Sequence, residues 1–264
     1  MEIVLFIDSL KTGGAERQFS LLADGLVRRG HEAHLVTLYP EGQNWGWLRE
    51  KNTASLTSLF SGKSPSTFGT GVQFGRAVFR LRDVLREEEP LVVYSGAYWC
   101  NLIGYLATLG LNTTPVWGIR ASNMELGWKQ SIPYTLSKWV SSNVELAIAN
   151  SHAGRDHHAD DRYNVQFWQV VPNGIETTRF RPDPKRGKKM RQKWGIASDD
   201  TLIGTVARLA PMKDHPTLLK AASELVETIP SLRLVFAGSG QKTYEKKLRR
   251  LTQRLEISDA VTWL

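Results

Sequence analysis

The stretch "IVLFIDSLKTGGAERQFSLLADGLVRRGHEAHLVTLY", Ile3 to Tyr39, decides the fold. "IVLFIDSL" opens it as a near-continuous apolar run, the pattern of a strand buried on both faces. "KTGG" is a short loop. In "AERQFSLLADGLVRRG", Ala15, Phe19, Leu22 and Leu26 recur at helical spacing, and Gly30 stands where a C-terminal cap belongs. "HEAHLVTLY" is strand-like again. Strand, helix and strand joined this tightly make a βαβ unit, which implies a parallel sheet with right-handed crossovers.

The alternation continues outward from this unit. "TASLTSLF" reads as a strand and Val72–Glu87 as a helix that turns Val78, Leu81 and Leu85 inward. Leu91 to Ile119 carries no charge and is long enough to cross a bilayer. Asn101, Asn112, Pro115 and its glycines break it instead into strand (Leu91–Ser95), helix (Ala97–Leu109) and strand (Pro115–Ile119). A helix near Trp128–Ser141, the strand "VELAIANS", a helix from Ser151 and the strand "VQFWQVV" follow. "PNGIETTRFRPDPKRG" has the proline, glycine and charge content of an interdomain connection. Beyond it come strand "TLIGTVARL", helix "HPTLLKAASELVETI", strand "LRLVFAG", helix "YEKKLRRLTQRL" and strand "AVTWL". The expectation is an α/β chain of two Rossmann-like, doubly wound parallel-sheet domains, residues 1–182 and 183–264, the second incomplete with three strands and two helices. Because "AVTWL" reads as a strand just begun, the chain is expected to be the front portion of something longer.

The chain has 264 residues, 41% hydrophobic and 23% charged, an ordinary globular composition. Cys100 is its only cysteine, so an internal disulfide is excluded and a reducing, cytoplasmic setting fits. The net charge is +8 with a pI near 9.6, and the cations gather in "KRGKKMRQK" (Lys185–Lys193) and "KTYEKKLRRLTQR" (Lys242–Arg254). Solvated surface, an anionic membrane or a phosphorylated substrate would each suit such clusters. No zinc spacing or aromatic RNA-binding motif accompanies them, so nucleic acid is not an expected partner.

In open α/β sheets ligands bind beyond the carboxyl ends of the strands, so the loops there carry the candidates. In "KTGGAE", Gly13 and Gly14 allow close backbone approach ahead of a helix N-terminus, although a plain tight turn reads equally well. Lys11 stands where a dinucleotide fingerprint has its first glycine. In "VARLAPMKDH", Arg208 ends a strand and Lys213 precedes a helix, a fork and a point charge suited to a diphosphate. "FAGSGQKT" departs from the Walker spacing because Gln241 separates glycine from lysine; Gly238 and Gly240 read as shaping a turn. His152, Asp156 and Asp160 share one helical face in "HAGRDHHADD", yet the spacing is common on solvated helices and no metal site is expected. There is no nucleophile elbow, and Cys100 lacks an evident activating partner.

Together, "GGAE…RGHEAHLVT", "ANS", "VVPNGIETTRFRP", "VARLAPMKDHPTLLKA" and "LRLVFAGSG" resemble the retaining GT-B glycosyltransferases of family four, over nearly the whole chain. "VWGIRASN" resembles members that build bacterial cell-surface polysaccharide or lipopolysaccharide. The resemblance implies two Rossmann-like domains and a nucleotide-diphosphate sugar as co-substrate, with no cofactor and no metal. It implies that Arg208 and Lys213 hold the donor diphosphate and neutralise it as the glycosidic bond breaks, and that Gly13 and Gly14 form a phosphate or acceptor loop. Asn173, Gly238 and Gly240 are cleft-lining candidates. Many relatives carry a histidine where "GIRASN" places Arg120, which is therefore the candidate catalytic position or a contact to an anionic acceptor. The family's two glutamates at seven-residue spacing are absent. The implied activity is transfer of a hexosyl group, with retention, to a glycan or lipid-linked acceptor at the inner face of the plasma membrane. A nucleotide-sugar 2-epimerase of the same fold, or a non-catalytic sugar-phosphate-binding fragment, are the competing readings. With the later donor-holding residues missing, the chain by itself is expected to bind nucleotide sugar weakly and not to transfer it.

Overall fold

The computed structural model describes residues 1–11, 13–40, 42, 54–62, 71–121 and 128–264. Thr12 of the first loop and Ser122 and Asn123 of "VWGIRASN" lie outside the described residues. The chain divides into two compact units, Met1–Ile175 and Glu176–Leu264, the division falling inside the proline- and glycine-rich connection.

The first unit is built on β1 (Glu2–Ile7), α1 (Gly14–Arg28), β2 (Glu32–Thr37), β3 (Ser55–Ser58), α2 (Gly71–Glu88), β4 (Val92–Gly96) and α3 (Tyr98–Thr108). It continues through β5 (Thr114–Ile119), α4 (Trp128–Val140), β6 (Leu146–Ala149), α5 (His152–Asp160) and β7 (Phe167–Val170). Its strands form a seven-stranded sheet in the order β3-β2-β1-β4-β5-β6-β7, every neighbouring pair parallel. The winding therefore reverses between β1 and β4, and their carboxyl ends flank a crevice.

Apolar runs on both faces explain this packing. Successive side chains of β1 point to opposite sides: Val4 and Phe6 meet Val36, Leu81 and Ile103, whereas Leu5 and Ile7 meet Phe19, Ala23 and Leu35. In α1, Phe19 and Ala23 are buried, while Leu22, expected inward, is partly exposed on the helix's outer shoulder. Gly30, at φ 80°, closes α1 as expected, with His31 N–H donating back to Leu26 O at 3.1 Å. The uncharged stretch resolves into β4, α3 and β5, and among the described residues no helix is long and apolar enough to cross a membrane.

The second unit contains α6 (Pro184–Lys193), β8 (Thr201–Val206), α7 (His215–Thr228), β9 (Leu232–Ala237), α8 (Lys242–Arg254) and β10 (Val261–Trp263). Its parallel sheet runs β10-β9-β8. Leu232, Leu234 and Phe236 of β9 face Leu219 and Ala222 of α7 and Leu248 of α8. Trp263 stacks on Phe236 at 4.6 Å between ring centroids.

Helix α6 corrects the expectation of two helices here. It has no buried residue and so no apolar period to betray it. The Asp183 carboxylate caps it by accepting from Arg186 N–H at 3.0 Å, and Pro184 occupies its first turn. At its far end Arg191 donates to Ala197 O and Asp200 O at 2.9 and 3.0 Å. Caps at both ends thus replace the missing apolar face.

Candidate functional site

In the first unit Gly13, Gly14, Gly96 and Ala97 lie at the carboxyl ends of β1 and β4, where the winding reverses. The Glu16 carboxylate folds into the space a Gly13 side chain would occupy, at the N-terminus of α1. Gly14 has no described atom within 4 Å of where its Cβ would lie, so this stretch of backbone stands open. At the end of β4, a Cβ on Gly96 would lie 2.6 Å from the Phe19 ring, so glycine is what lets that ring close over the strand. The next residue, Ala97, has φ 78° and ψ 149°, a conformation that costs a residue with a Cβ about 1–3 kcal/mol. This strained residue forms the N-cap of α3 beside the switch point.

Arg120 follows β5 and crosses the same crevice. It donates from Nη2 to the Tyr94 hydroxyl at 2.6 Å and from Nη1 to Asn173 Oδ1 at 2.9 Å. Its guanidinium lies 5.6 and 5.8 Å from the ring centroids of Phe19 and Tyr94, which stack on each other at 5.0 Å. Burial pushes the Tyr94 phenol above its ordinary pKa, and the charge and hydrogen bond of Arg120 pull against it. Gln18, in the first turns of α1, exchanges two hydrogen bonds with the Gly174 backbone, donating to its carbonyl at 2.9 Å and accepting from its N–H at 3.0 Å. Arg120 and Asn173, separate candidates in the sequence, are therefore partners, and the "PNG" segment is held from two sides. Gln18, Phe19, Tyr94 and Ala97 went unrecognised. A helical polar residue, two core aromatics and an alanine carry no sequence signal of such a cluster.

On α5, Asp156 pairs with Arg155 at 2.7 Å. Among the described residues no three His, Cys, Asp or Glu side chains converge as metal ligands. The buried histidine of that helix is His158, hydrogen bonded to Gly154 O at 2.8 Å and to the Tyr98 hydroxyl at 3.2 Å. Burial pushes its pKa below the ordinary value and raises that of Tyr98 to about 12. Cys100 is buried, and its thiol is pushed well above the range in which a thiolate forms.

In the second unit the loop after β8 carries the two predicted cations. Arg208 is exposed, and its nearest polar contact is the Met212 sulfur at 3.9 Å. Lys213 is exposed in the short helical turn Pro211–Lys213. Asp214, left-handed at φ 45°, leads from that turn into α7. Among the described residues neither cation is paired with a carboxylate. Gly238 and Gly240 run backbone to backbone against this loop. A Cβ on Gly238 would collide with Ala207 O, and one on Gly240 with Leu209 O. The loops are joined by Leu209 N–H donating to Ser239 O at 3.0 Å. The glycines thus fix the course of the loop bearing Arg208, with Lys213 on the turn that follows. Behind them His215 is buried in the first turn of α7 against Phe236, and burial lowers its pKa.

Two parallel Rossmann-like units in succession, each with glycine-cleared loops at the carboxyl ends of its strands, define a chain of the GT-B fold class. The chain belongs to Glycosyltransferase Family 4, whose sequence profile matches residues 12–179; that of glycosyl transferases group 1 matches residues 187–264. It is 42% identical over 122 residues to the putative glycosyltransferase EpsD of Bacillus subtilis, covering 45% of this chain and 32% of that protein. It is 26% identical over 140 residues to a GDP-mannose-dependent phosphatidylinositol monomannoside mannosyltransferase of Mycolicibacterium smegmatis, covering 53% and 36%. The matched stretches thus span about a third of these curated relatives. The fold matches that of Anabaena HepE in complex with UDP and glucose, with a TM-score of 0.79 and 20% identity, over 100% of this chain and 69% of that one.

Proposed function

We propose that the protein transfers a hexosyl group from a nucleotide-diphosphate sugar to a glycan or lipid-linked acceptor, with retention, in cell-surface polysaccharide or lipopolysaccharide synthesis. The observation that carries this reading is the exposed pair Arg208 and Lys213, set before the N-terminus of α7 without carboxylate partners among the described residues. A diphosphate placed there meets a planar fork, a point charge and the positive end of a helix dipole. Those groups are worth most as negative charge accumulates on the departing nucleotide, so they favour bond cleavage as well as binding. A metal ion is not required for that neutralisation. The relatives' names support a nucleotide-sugar donor and span both GDP and UDP. The basic helices α6 and α8 suit peripheral contact with an anionic cytoplasmic membrane face.

Calorimetric titration of the chain with UDP and with GDP tests the site. Arg208→Ala or Lys213→Ala should each weaken the preferred nucleotide by about 1.5–3 kcal/mol, the range of a charge-assisted hydrogen bond. Unchanged affinity in both variants would remove the assignment.

A further inference from the structure

His215 is 2% exposed, yet neither of its ring nitrogens has a hydrogen-bond partner among the described residues. The hydroxyl of Tyr244 on α8, whose ring centroid lies 6.4 Å from the imidazole, is buried and unpartnered in the same way. Phe236 of β9 lies 5.7 Å from the imidazole. A leucine would fill this space without stripping water from two ring nitrogens. Packing alone therefore does not call for histidine here.

The place of the ring shows what it can act on. It opens α7, directly after Lys213 and the left-handed Asp214. The Ala210 carbonyl accepts from Lys213 N–H at 3.0 Å, the bond that closes the turn. The same carbonyl favours the charged form of the imidazole, although neither ring nitrogen meets it in hydrogen-bonding geometry. Asp214 also favours the imidazolium by its charge, and Lys213 opposes it. Tyr244, kept neutral by burial and by Asp214, brings no charge. Burial outweighs the favourable pair, so the ring is neutral in the free chain near pH 7. A diphosphate on the loop would change this balance twice. Its charge attracts a proton directly, and by pairing with Lys213 it cancels the charge that opposes one.

We infer that His215 is a positioning residue of this loop: when a diphosphate occupies Arg208 and Lys213, the imidazole takes a proton from solvent and its N–H closes on the Ala210 carbonyl. That carbonyl then holds Lys213 N–H and His215 together, which fixes the turn carrying Lys213. The inference rests on the reading of the loop as the diphosphate site. By linkage, protons and nucleotide sugar strengthen each other's binding. The ring's pKa is higher in the complex than in the free chain. Affinity therefore rises as pH falls through the complex's value and levels off below that of the free chain.

The test is titration of the 264-residue chain with UDP-glucose and with GDP-mannose at about pH 7.5 and about pH 5.5, alongside NMR of carbon-13-labelled histidine rings. Free UDP or GDP would not serve, because a terminal phosphate titrates near pH 6 by itself; the diphosphate of a nucleotide sugar does not. Wild type should bind about fivefold or more tightly at the lower pH, the low end of coupling between two sites. His215→Gln carries a neutral amide at both pH values. It should match wild type at the higher pH and lose the gain at the lower. The His215 ring signal of wild type, assigned through its own backbone, should titrate at higher pH with nucleotide sugar than without. Lys213→Met should raise the His215 pKa in the free chain, with no nucleotide present. An affinity gain that His215→Gln retains would overturn the inference while leaving Arg208 and Lys213 as the diphosphate site. So would a ring pKa unmoved by nucleotide sugar or by Lys213→Met. Equal weakening of His215→Gln at both pH values would mark a packing role and overturn it as well. Absence of wild-type binding at both pH values would overturn the inference and the site together. Should His215→Gln fail to fold by circular dichroism, the wild-type ring titration decides alone.

Discussion

Replacing Arg120 with methionine tests whether the crevice of the first unit is held together by its guanidinium. Methionine keeps much of the stem and removes both donors and the charge. Two hydrogen bonds are lost, at 2.6 Å to the Tyr94 hydroxyl and at 2.9 Å to Asn173 Oδ1, along with the contact over the Phe19 and Tyr94 rings. A charge-assisted hydrogen bond is worth about 1.5–3 kcal/mol, and the bond to Asn173, being exposed, belongs at or below the low end. The bond to Tyr94 is part-buried, so its phenol also loses a partner in a place where water replaces it poorly. The stacked cation adds about 0.5–1 kcal/mol. Together these give an expected loss of about 2–4 kcal/mol from the first unit. Tyr94→Phe removes the hydroxyl alone and should cost about 1 kcal/mol. In a double-mutant cycle the two changes should couple by about 1–2 kcal/mol, because they share one bond. Urea denaturation of the chain, followed by near-ultraviolet circular dichroism of the first unit's aromatic residues, measures all four corners. A loss below about 0.5 kcal/mol for Arg120→Met, the ordinary range for surface changes, would refute the bridging role. Additivity within error would show that Arg120 and Tyr94 act separately.

Ala97→Gly should stabilise the first unit by about 1 kcal/mol, since glycine adopts φ 78° without strain and recovers more than its unfolded-state entropy costs; a destabilised variant in the same urea assay would contradict the strain. His158 and His215 should make the chain less stable in mild acid. Both have pKa values lowered by burial, so the unfolded chain binds protons more readily than the folded one as pH falls below about 6.5. Stability is then fully present above 6.5 and declines as pH drops toward the folded-state values. His158→Gln and His215→Gln should flatten that decline between pH 7.5 and 5, measured by urea midpoints, and an unaltered slope in both would count against it.

What the sequence disclosed, and what it did not, divides along a physical line. Strands β1, β2, β4 and β5 of the first unit were legible because both of their faces are buried, so apolar runs such as "IVLFI" have few other uses. Helix α6 was not legible, because its stability comes from Asp183, Pro184 and Arg191 at its ends and not from a buried face. Arg208 and Lys213 were visible as a pair because chain spacing alone brings them to one loop. The cluster of Gln18, Phe19, Tyr94, Arg120, Asn173 and Gly174 was hidden, because parallel pairing assembles it from segments far apart in the chain. The exposure of Ile132, Leu136 and Trp139 on α4 was also hidden, since periodicity shows that a helix has an apolar face and not which way that face turns.

The same contrast separates the cations as ligand sites. Arg120 already spends one donor on a phenol and another on an amide oxygen, and it lies close to two stacked rings. An anion that recruited it would have to displace those partners, giving back about as much free energy as one charge-assisted bond supplies. Its geometry therefore suits a positioning role: it ties the end of β5 to β4 and to the "PNG" segment, and so sets the walls of the crevice. Arg208 and Lys213 have no such prior commitment among the described residues. Arg208 approaches only a sulfur at 3.9 Å, a weak acceptor that surrenders little when a phosphate oxygen replaces it. The glycine-enforced contact at Ala207 and Leu209 fixes the backbone on both sides of Arg208 in advance, so less ordering is left to be done on binding. On both counts the second unit's loop is the better anion receptor, although Arg120 is the better-bonded side chain.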